Sequence, residues 1–374
     1  MGVEFFYQSF AEENVSISAH FWSEATGAVR MSQKILLIYN PKAGKGLFVQ
    51  KLADVIDMFV KAGYRVEVHP TQKRKDAVDI ARNAGGFIDM IVAAGGDGTL
   101  DEVVTGITMS GRDLPIGYIP VGSTNDYAAS LNMSTSILEA TGDIVGGEPQ
   151  AVDIGEFNGD AFVYVAAFGA FTDVSYDTNQ DMKNLFGHLA YIFEGMRRLP
   201  DIKSYNLKVE VEGKLHEGNY IYGMVTNSIS VGGIKGMTGP NVYLDDGVFE
   251  SMLIHSPTNP MELNEIITAL LSGNVESTPL IEYYHTSSVH ITANEPIPWT
   301  LDGEYGGNHQ DVMIRNLKQR VRIILYGDKS DVLHGWRDIP GATGDDELGD
   351  GKFEVADSLK VISEEFGKIL DVDV

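Results

Sequence analysis

The chain contains no cysteine. That absence removes disulfides, iron–sulfur clusters, thiolate zinc sites and thiol nucleophiles, and it fits a reducing compartment. Basic residues are scarce: 28 Lys and Arg stand against 53 Asp and Glu, a formal charge of −25. Nucleic acid is therefore not an expected partner, because phosphate backbones are gripped by basic patches. Long apolar runs are also lacking. The longest, about Phe162–Phe171, falls far short of the ~20 residues a spanning helix needs. Before Arg30 the only charges are Glu4, Glu12, Glu13 and Glu24, the wrong sign for a secretory leader. A cytoplasmic protein with no transmembrane segment is expected. What is present suffices for folded cores: 43% of the 374 residues are hydrophobic, and the length suits about two domains and a tail.

Residues 1–30 show neither helical nor strand periodicity, so they are expected to form a disordered extension, with Met31 as the natural start. From Lys34 the pattern alternates. Lys34–Tyr39 is a continuous apolar run, as a buried parallel strand requires. Phe48, Leu52, Val55, Ile56 and Phe59 then recur at helical spacing. Strands are expected at Tyr64–His69, Ile88–Ala94 and Pro115–Pro120, with helices at Asp76–Ala84 and Leu100–Met109. Strands alternating with helices imply a doubly wound α/β sheet over 31–154. From 155 to 327 the texture changes to strands at Phe162–Phe168, Tyr205–Val211, Asn219–Asn227, Val248–His255, Ser287–Thr292, Asp311–Ile314 and Val321–Tyr326. Their spacing implies an antiparallel β-sandwich, whose last strand is free to return to the first domain. One helix, Asn184–Leu199, interrupts it. Residues 328–374 hold 13 acidic and 5 basic side chains. This acidic extension reads as a polar linker at Gly341–Gly351 and one amphipathic helix at Phe353–Leu370.

Three turns follow presumed parallel strands. Gly95-Gly96-Asp97-Gly98-Thr99-Leu100-Asp101-Glu102 lets backbone N–H groups approach an anion at a helix N-terminus. Asp97 in that turn needs a cation between itself and phosphate, which points to Mg²⁺. Asn40-Pro41-Lys42-Ala43-Gly44-Lys45-Gly46 offers small residues and an ammonium. Gly122-Ser123-Thr124-Asn125-Asp126 offers donors and another carboxylate. Each turn alone is as well explained by helix capping. Three on one sheet edge favour a nucleotide site. Downstream, Asp302-Gly303-Glu304 places two carboxylates around one glycine. They suit either acid–base work or an ordinary acidic turn. Leu244-Asp245-Asp246-Gly247 is either a cation turn or a simple hairpin.

In this order, these motifs resemble the diacylglycerol kinase catalytic family, and most of all its bacterial soluble members of the diacylglycerol kinase B and YegS type, over about Ser32–Gly327. The resemblance implies an active site in the cleft between the two domains. It implies ATP contacts at Asn40–Lys45, Thr71, Gly96–Glu102 and Thr124, and a Mg²⁺-linked acidic network that includes Asp97 and Asp126. Asp302 and Glu304 fall on the carboxylates that activate the lipid hydroxyl, with a lean to Glu304 as the base. Tyr243, Asp246 and Val248 fall on a structural Mg²⁺ site. Asp101 departs from the family, where Asn is usual.

The expected reaction is transfer of the ATP γ-phosphoryl group to a lipid hydroxyl, diacylglycerol before phosphatidylglycerol or a sphingoid base. The rivals are an NAD kinase and a non-catalytic nucleotide- or lipid-responsive protein. A lipid acceptor implies transient, peripheral membrane contact. Lys183, Arg197, Arg198 and Lys203 flank the apolar helix 185–199 and are candidates for it, although such a helix is more often simply core packing with a solvated end. The tail helix would pack through Phe353, Leu359, Ile362 and Phe366 on the sandwich or on a second copy, which leaves a homodimer open; otherwise the tail is a solvated appendage.

Overall fold

The structure, a computed structural model, describes residues 33–122, 125–169, 203–228, 230–231, 234–235, 242–272, 274–329 and 333. The expectations for 1–30, Ser123, Thr124, the helix 184–199 with Lys183, Arg197 and Arg198, and the tail helix lie outside the described residues.

Strand β1 (Lys34–Tyr39) is apolar on both faces because both are covered. Ile35 and Leu37 enter one core, Leu36 and Ile38 another. Helix α1 (Leu47–Lys61) buries Phe48, Val55 and Phe59 against the first core. Then come β2 (Arg65–Pro70), α2 (Asp76–Arg82), β3 (Met90–Gly95), α3 (Asp97–Ser110), β4 (Pro115–Pro120), α4 (Asp126–Ser130) and α5 (Ile137–Gly146). The four strands lie in the order β2-β1-β3-β4, all parallel. The winding therefore reverses between β1 and β3, which opens a crevice at their carboxyl ends.

The second half contributes β5 (Glu148–Phe157), β6 (Asp160–Phe162), β7 (Val165–Gly169), β8 (Tyr205–Val211), β9 (Lys214–Thr226), the short pair β10 (Ser230–Val231) and β11 (Ile234–Lys235), and β12 (Phe249–His255). Helix α6 (Pro260–Ser272) follows, then β13 (Ile281–Thr286), β14 (Ser288–Leu301) and β15 (Glu304–Leu325). Apart from one parallel pairing of β15, these strands pair antiparallel. They enclose an aromatic-rich core of Phe157, Phe162, Phe168, Phe249 and Trp299, the β-sandwich half expected from the sequence. Phe168 packs on Trp299 with centroids 4.8 Å apart.

Strand β15 joins the two halves. It pairs antiparallel with β14 and β5, then parallel with β4 at Arg322–Pro115 and Ile323–Ile116. The core that takes Leu36 and Ile38 runs unbroken from Val104 in the α/β half to Met252 and Ile266 in the sandwich half.

Some elements differ from their sequence reading. Asp311–Ile314 and Val321–Tyr326 are one strand, β15; its register slips between Leu317 and Val321, where Gln319 has φ +50. The polar stretch between the two expected strands is this irregularity. Helix α3 begins at Asp97 rather than Leu100, because Gly96 is already extended and Asp97 helical. Helix α6 was not foreseen, although its start carries a signal: Asn259 Oδ1 accepts the N–H groups of Met261 and Glu262.

Candidate active site

The carboxyl ends of β1 to β4 bring four chain segments side by side. The Asn40 N–H donates to Ala94 O, the Thr71 N–H to Tyr39 O and the Val121 N–H to Gly95 O. Beyond β1, Gly44, Lys45 and Gly46 have φ of +54, +56 and +77. Such a turn needs glycine for conformation and for room: a Cβ on Gly44 would lie 2.7 Å from Val121 O. Asn40 Oδ1 accepts the Lys42 N–H at 2.9 Å and shapes the start of the turn. The turns after β3 and β4 touch through glycine, since a Cβ on Gly122 would meet Gly96 Cα at 2.7 Å. Asn125 Oδ1 closes the second turn by accepting the Gly122 N–H at 2.8 Å. The edge is thus bare backbone, open to a chain of phosphates.

Carboxylates sit behind this edge. Asp97 is 8% exposed and accepts the N–H groups of Asp126 and Tyr127 at 3.2 and 3.4 Å. Burial and the Asp126 charge push its carboxyl up to about 7, and the two amides only partly oppose this. One turn further along α3, Asp101 lies against Asp302. Burial first, then the Asp302 charge, raises Asp101 well above the ordinary carboxylate range. Its Oδ1 is buried with no hydrogen-bond partner.

Asp302 and Gly303 are the two central residues of the β14–β15 hairpin, with φ of +49 and +80, as a type I′ turn requires. The Asp302 carboxylate accepts three N–H groups, from Val163 at 2.6 Å and from Tyr164 and Val165 at 2.9 Å each. Burial pushes the Asp302 carboxyl up to about 6 and those amides oppose the shift, so of the two Asp101 holds a proton the more readily. Glu304, two residues on, behaves differently. Its side chain is 49% exposed and pairs with Arg74 at 2.6 Å. Its Oε1 lies 3.1 Å from where a Cβ on Gly98 would sit, so the hairpin of the sandwich half closes over the turn that opens α3.

The expected residues divide accordingly. Asn40, Thr71, Gly95, Gly96, Asp97, Gly98, Asp101, Asp126, Asp302 and Glu304 gather at one place. Leu100 turns its side chain into the core. Glu102 accepts the N–H groups of Lys75 and Ala77 at 2.7 and 3.0 Å and so caps α2. Lys203, expected as a membrane-facing cation, pairs with Glu295 at 3.5 Å and covers the Tyr205 ring. Arg74 was missed by the sequence reading. The signal available was the basic run Lys73-Arg74-Lys75 just past a strand end.

The second acidic turn is separate from this centre. Asp246 Oδ1 accepts the Val248 N–H at 2.9 Å, and Asp153 accepts the N–H groups of Gly247 and Gln319 at 2.6 and 2.7 Å. Val248 O accepts from Asn316 Nδ2 at 3.1 Å, while Asn316 Oδ1 is buried without a partner.

Comparison with known proteins gives a consistent set of matches. The family model of the diacylglycerol kinase catalytic domain matches residues 34–157, and that of the YegS C-terminal NAD kinase beta sandwich-like domain matches 165–324. A diacylglycerol kinase of Bacillus subtilis (strain 168) is 34% identical over 299 residues, covering 79% of this chain and 98% of the relative. One of Staphylococcus carnosus (strain TM300) is 35% identical, covering 80% and 97%. A crystal structure from Bacillus anthracis (strain Sterne), described provisionally as a diacylglycerol kinase, shares the fold at a TM-score of 0.67. It is 24% identical and covers 78% of this chain and 97% of its own.

Proposed function

The chain belongs to the diacylglycerol kinase family and is a lipid kinase, and on that footing we propose that it transfers the γ-phosphoryl group of ATP to the hydroxyl of diacylglycerol, releasing ADP and phosphatidic acid. One observation carries the reading: a half-exposed carboxylate from the sandwich half, Glu304, overhangs the glycine turn of the α/β half, held only by the surface cation Arg74 among the described residues. Phosphoryl transfer asks for a phosphate site and a proton acceptor facing each other, and little covalent chemistry besides.

ATP lies along the edge formed by Asn40–Gly46, Thr71 and Gly95–Thr99, where backbone N–H groups and Lys45 meet its phosphates. The neighbouring donors fit Mg²⁺, because they are all oxygen and one, Asp101 Oδ1, is buried and unpartnered. Asp97 and Asp126 would hold the ion. Bound there, Mg²⁺ would neutralise charge on the phosphates. Glu304 takes the proton of the acceptor hydroxyl. Asp302 is unsuited to that task, since it is 5% exposed and occupied by three amides; it fixes the hairpin that presents Glu304. A second hard cation suits the carbonyls of Tyr243 and Val248 with Asp246, beside the orphaned Asn316 Oδ1. Among the described residues no helix is long and apolar enough to cross a membrane, so the acceptor is drawn from a bilayer surface by peripheral contact.

The test is transfer of label from [γ-³²P]ATP, with Mg²⁺, into mixed micelles of diacylglycerol, phosphatidylglycerol or sphingosine. Labelled phosphatidic acid is expected. Glu304→Gln is expected to lower kcat by about 10²–10⁴-fold, the usual worth of a general base, with ATP binding retained. Label in another lipid would replace the acceptor. No labelled lipid despite ATP binding would end the proposal.

A further inference from the structure

The acidic centre raises a question of charge. The carboxylates of Asp97, Asp101 and Asp302 lie buried behind the glycine turns and Glu304 overhangs them, so a polyanion binds there against negative charge and a cation at the rim would offset it. Arg74 occupies that place. It belongs to the segment between β2 and α2, three residues beyond Thr71, on the same sheet edge as the glycine turns. Its Nη2 is 2.6 Å from Glu304 Oε2, and its charge also reaches Glu102. The Arg74 side chain is 57% exposed, which leaves it room to swing. A partner change is also easy, because an exposed ion pair is weakly held in water, whereas a guanidinium gripping phosphate with two parallel bonds is held more firmly.

We propose that Arg74 exchanges partners during the reaction, pairing with Glu304 across the cleft in the free enzyme and with the ATP polyphosphate once it is bound. The exchange has two consequences. The empty enzyme keeps its base neutralised and its two halves tied together. Arrival of ATP then frees Glu304 for the acceptor hydroxyl, so the base is released only when there is a phosphoryl group to transfer. This rests on the ATP site proposed above.

The test is a double-mutant cycle read by ATP binding, with calorimetry in Mg²⁺ and no acceptor. Arg74→Ala is expected to weaken ATP binding by about tenfold or more, the scale of a lost charge-assisted contact. Arg74→Lys should recover part of that loss, because it keeps the charge without the fork. Glu304→Gln in the otherwise native chain is expected to tighten binding several-fold, because Arg74 no longer has to leave a partner. In the Arg74→Ala background the same substitution should do nothing. Equal tightening in both backgrounds would mean that Glu304 only repels phosphate, and the exchange would be wrong. So would unchanged ATP affinity in Arg74→Ala. Absence of ATP binding by the native chain would overturn the site itself, and the exchange with it. Arg74 is a surface residue, and a thermal melt of each variant checks that it is folded.

Discussion

Glu250 shows what a single residue costs when its partner is imperfect. It sits on β12 at 1% exposure, its Oε2 has no hydrogen-bond partner, and His285 approaches only to 3.5 Å. Burial pushes its carboxyl up to about 7, against the pull of His285. A raised carboxyl contributes stability below its unfolded value, near 4.5, and loses it as pH climbs through the folded value. Glu250→Gln should therefore be more stable than the native chain at pH 8, by about 2–3 kcal/mol, with the advantage vanishing towards pH 4.5. Denaturant titrations at both pH values would show it; a constant difference would disprove the account. None of this was legible in Phe249-Glu250-Ser251, because a strand covered on both faces gives no alternation to say which side chains are inside. The pair Asp302 and Glu304 had the same difficulty. Spacing marked both as candidates, but only the αL turn locks one onto amides and leaves the other at the surface.

At the level of elements, the site depends on how closely α2 and α3 approach. They meet at Gly106, where a Cβ would fall 2.5 Å from Val78 O and 2.8 Å from Ala81 Cβ. Helix α3 starts at Asp97 and α2 is capped by Glu102, so both acidic positions ride on this contact. Gly106→Ala is expected to destabilise the chain by about 1–3 kcal/mol through overpacking, despite alanine's better helix propensity. A rise in the thermal midpoint would contradict this. The sequence marks α3 as a helix, but Gly106 reads there only as a weak point. A glycine needed for close approach is recognised by the neighbour it admits.

The whole molecule is organised by β15, which finishes the parallel sheet after running the length of the sandwich. Ile323 and Ile324 at its end enter the two cores on either face of the α/β half. A fragment of residues 31–154 would lack both, and would leave β4 without its neighbour. It should fail to give a cooperative melt by circular dichroism, whereas the full chain should show one dominant transition. A sharp melt of the fragment would show that the nucleotide half folds alone. This dependence also bears on function, since the residue proposed as base and the glycine turn it overhangs come from different halves of the molecule.

What could be read in the one-dimensional chain was whatever depends on neighbours a few positions away. Apolar runs ending in glycine, helical spacing after Phe48, and carboxylates at set intervals are local, and they were enough for the α/β half, the strand-rich half and the turns that meet at one sheet edge. The pairing of Arg74 with Glu304, the hold of residues 163–165 on Asp302, the burial of Glu250 and the return of β15 to β4 join positions that are far apart in sequence. Long-range contacts are set by how faces pack and how charges are screened once water is excluded. No spacing rule contains them.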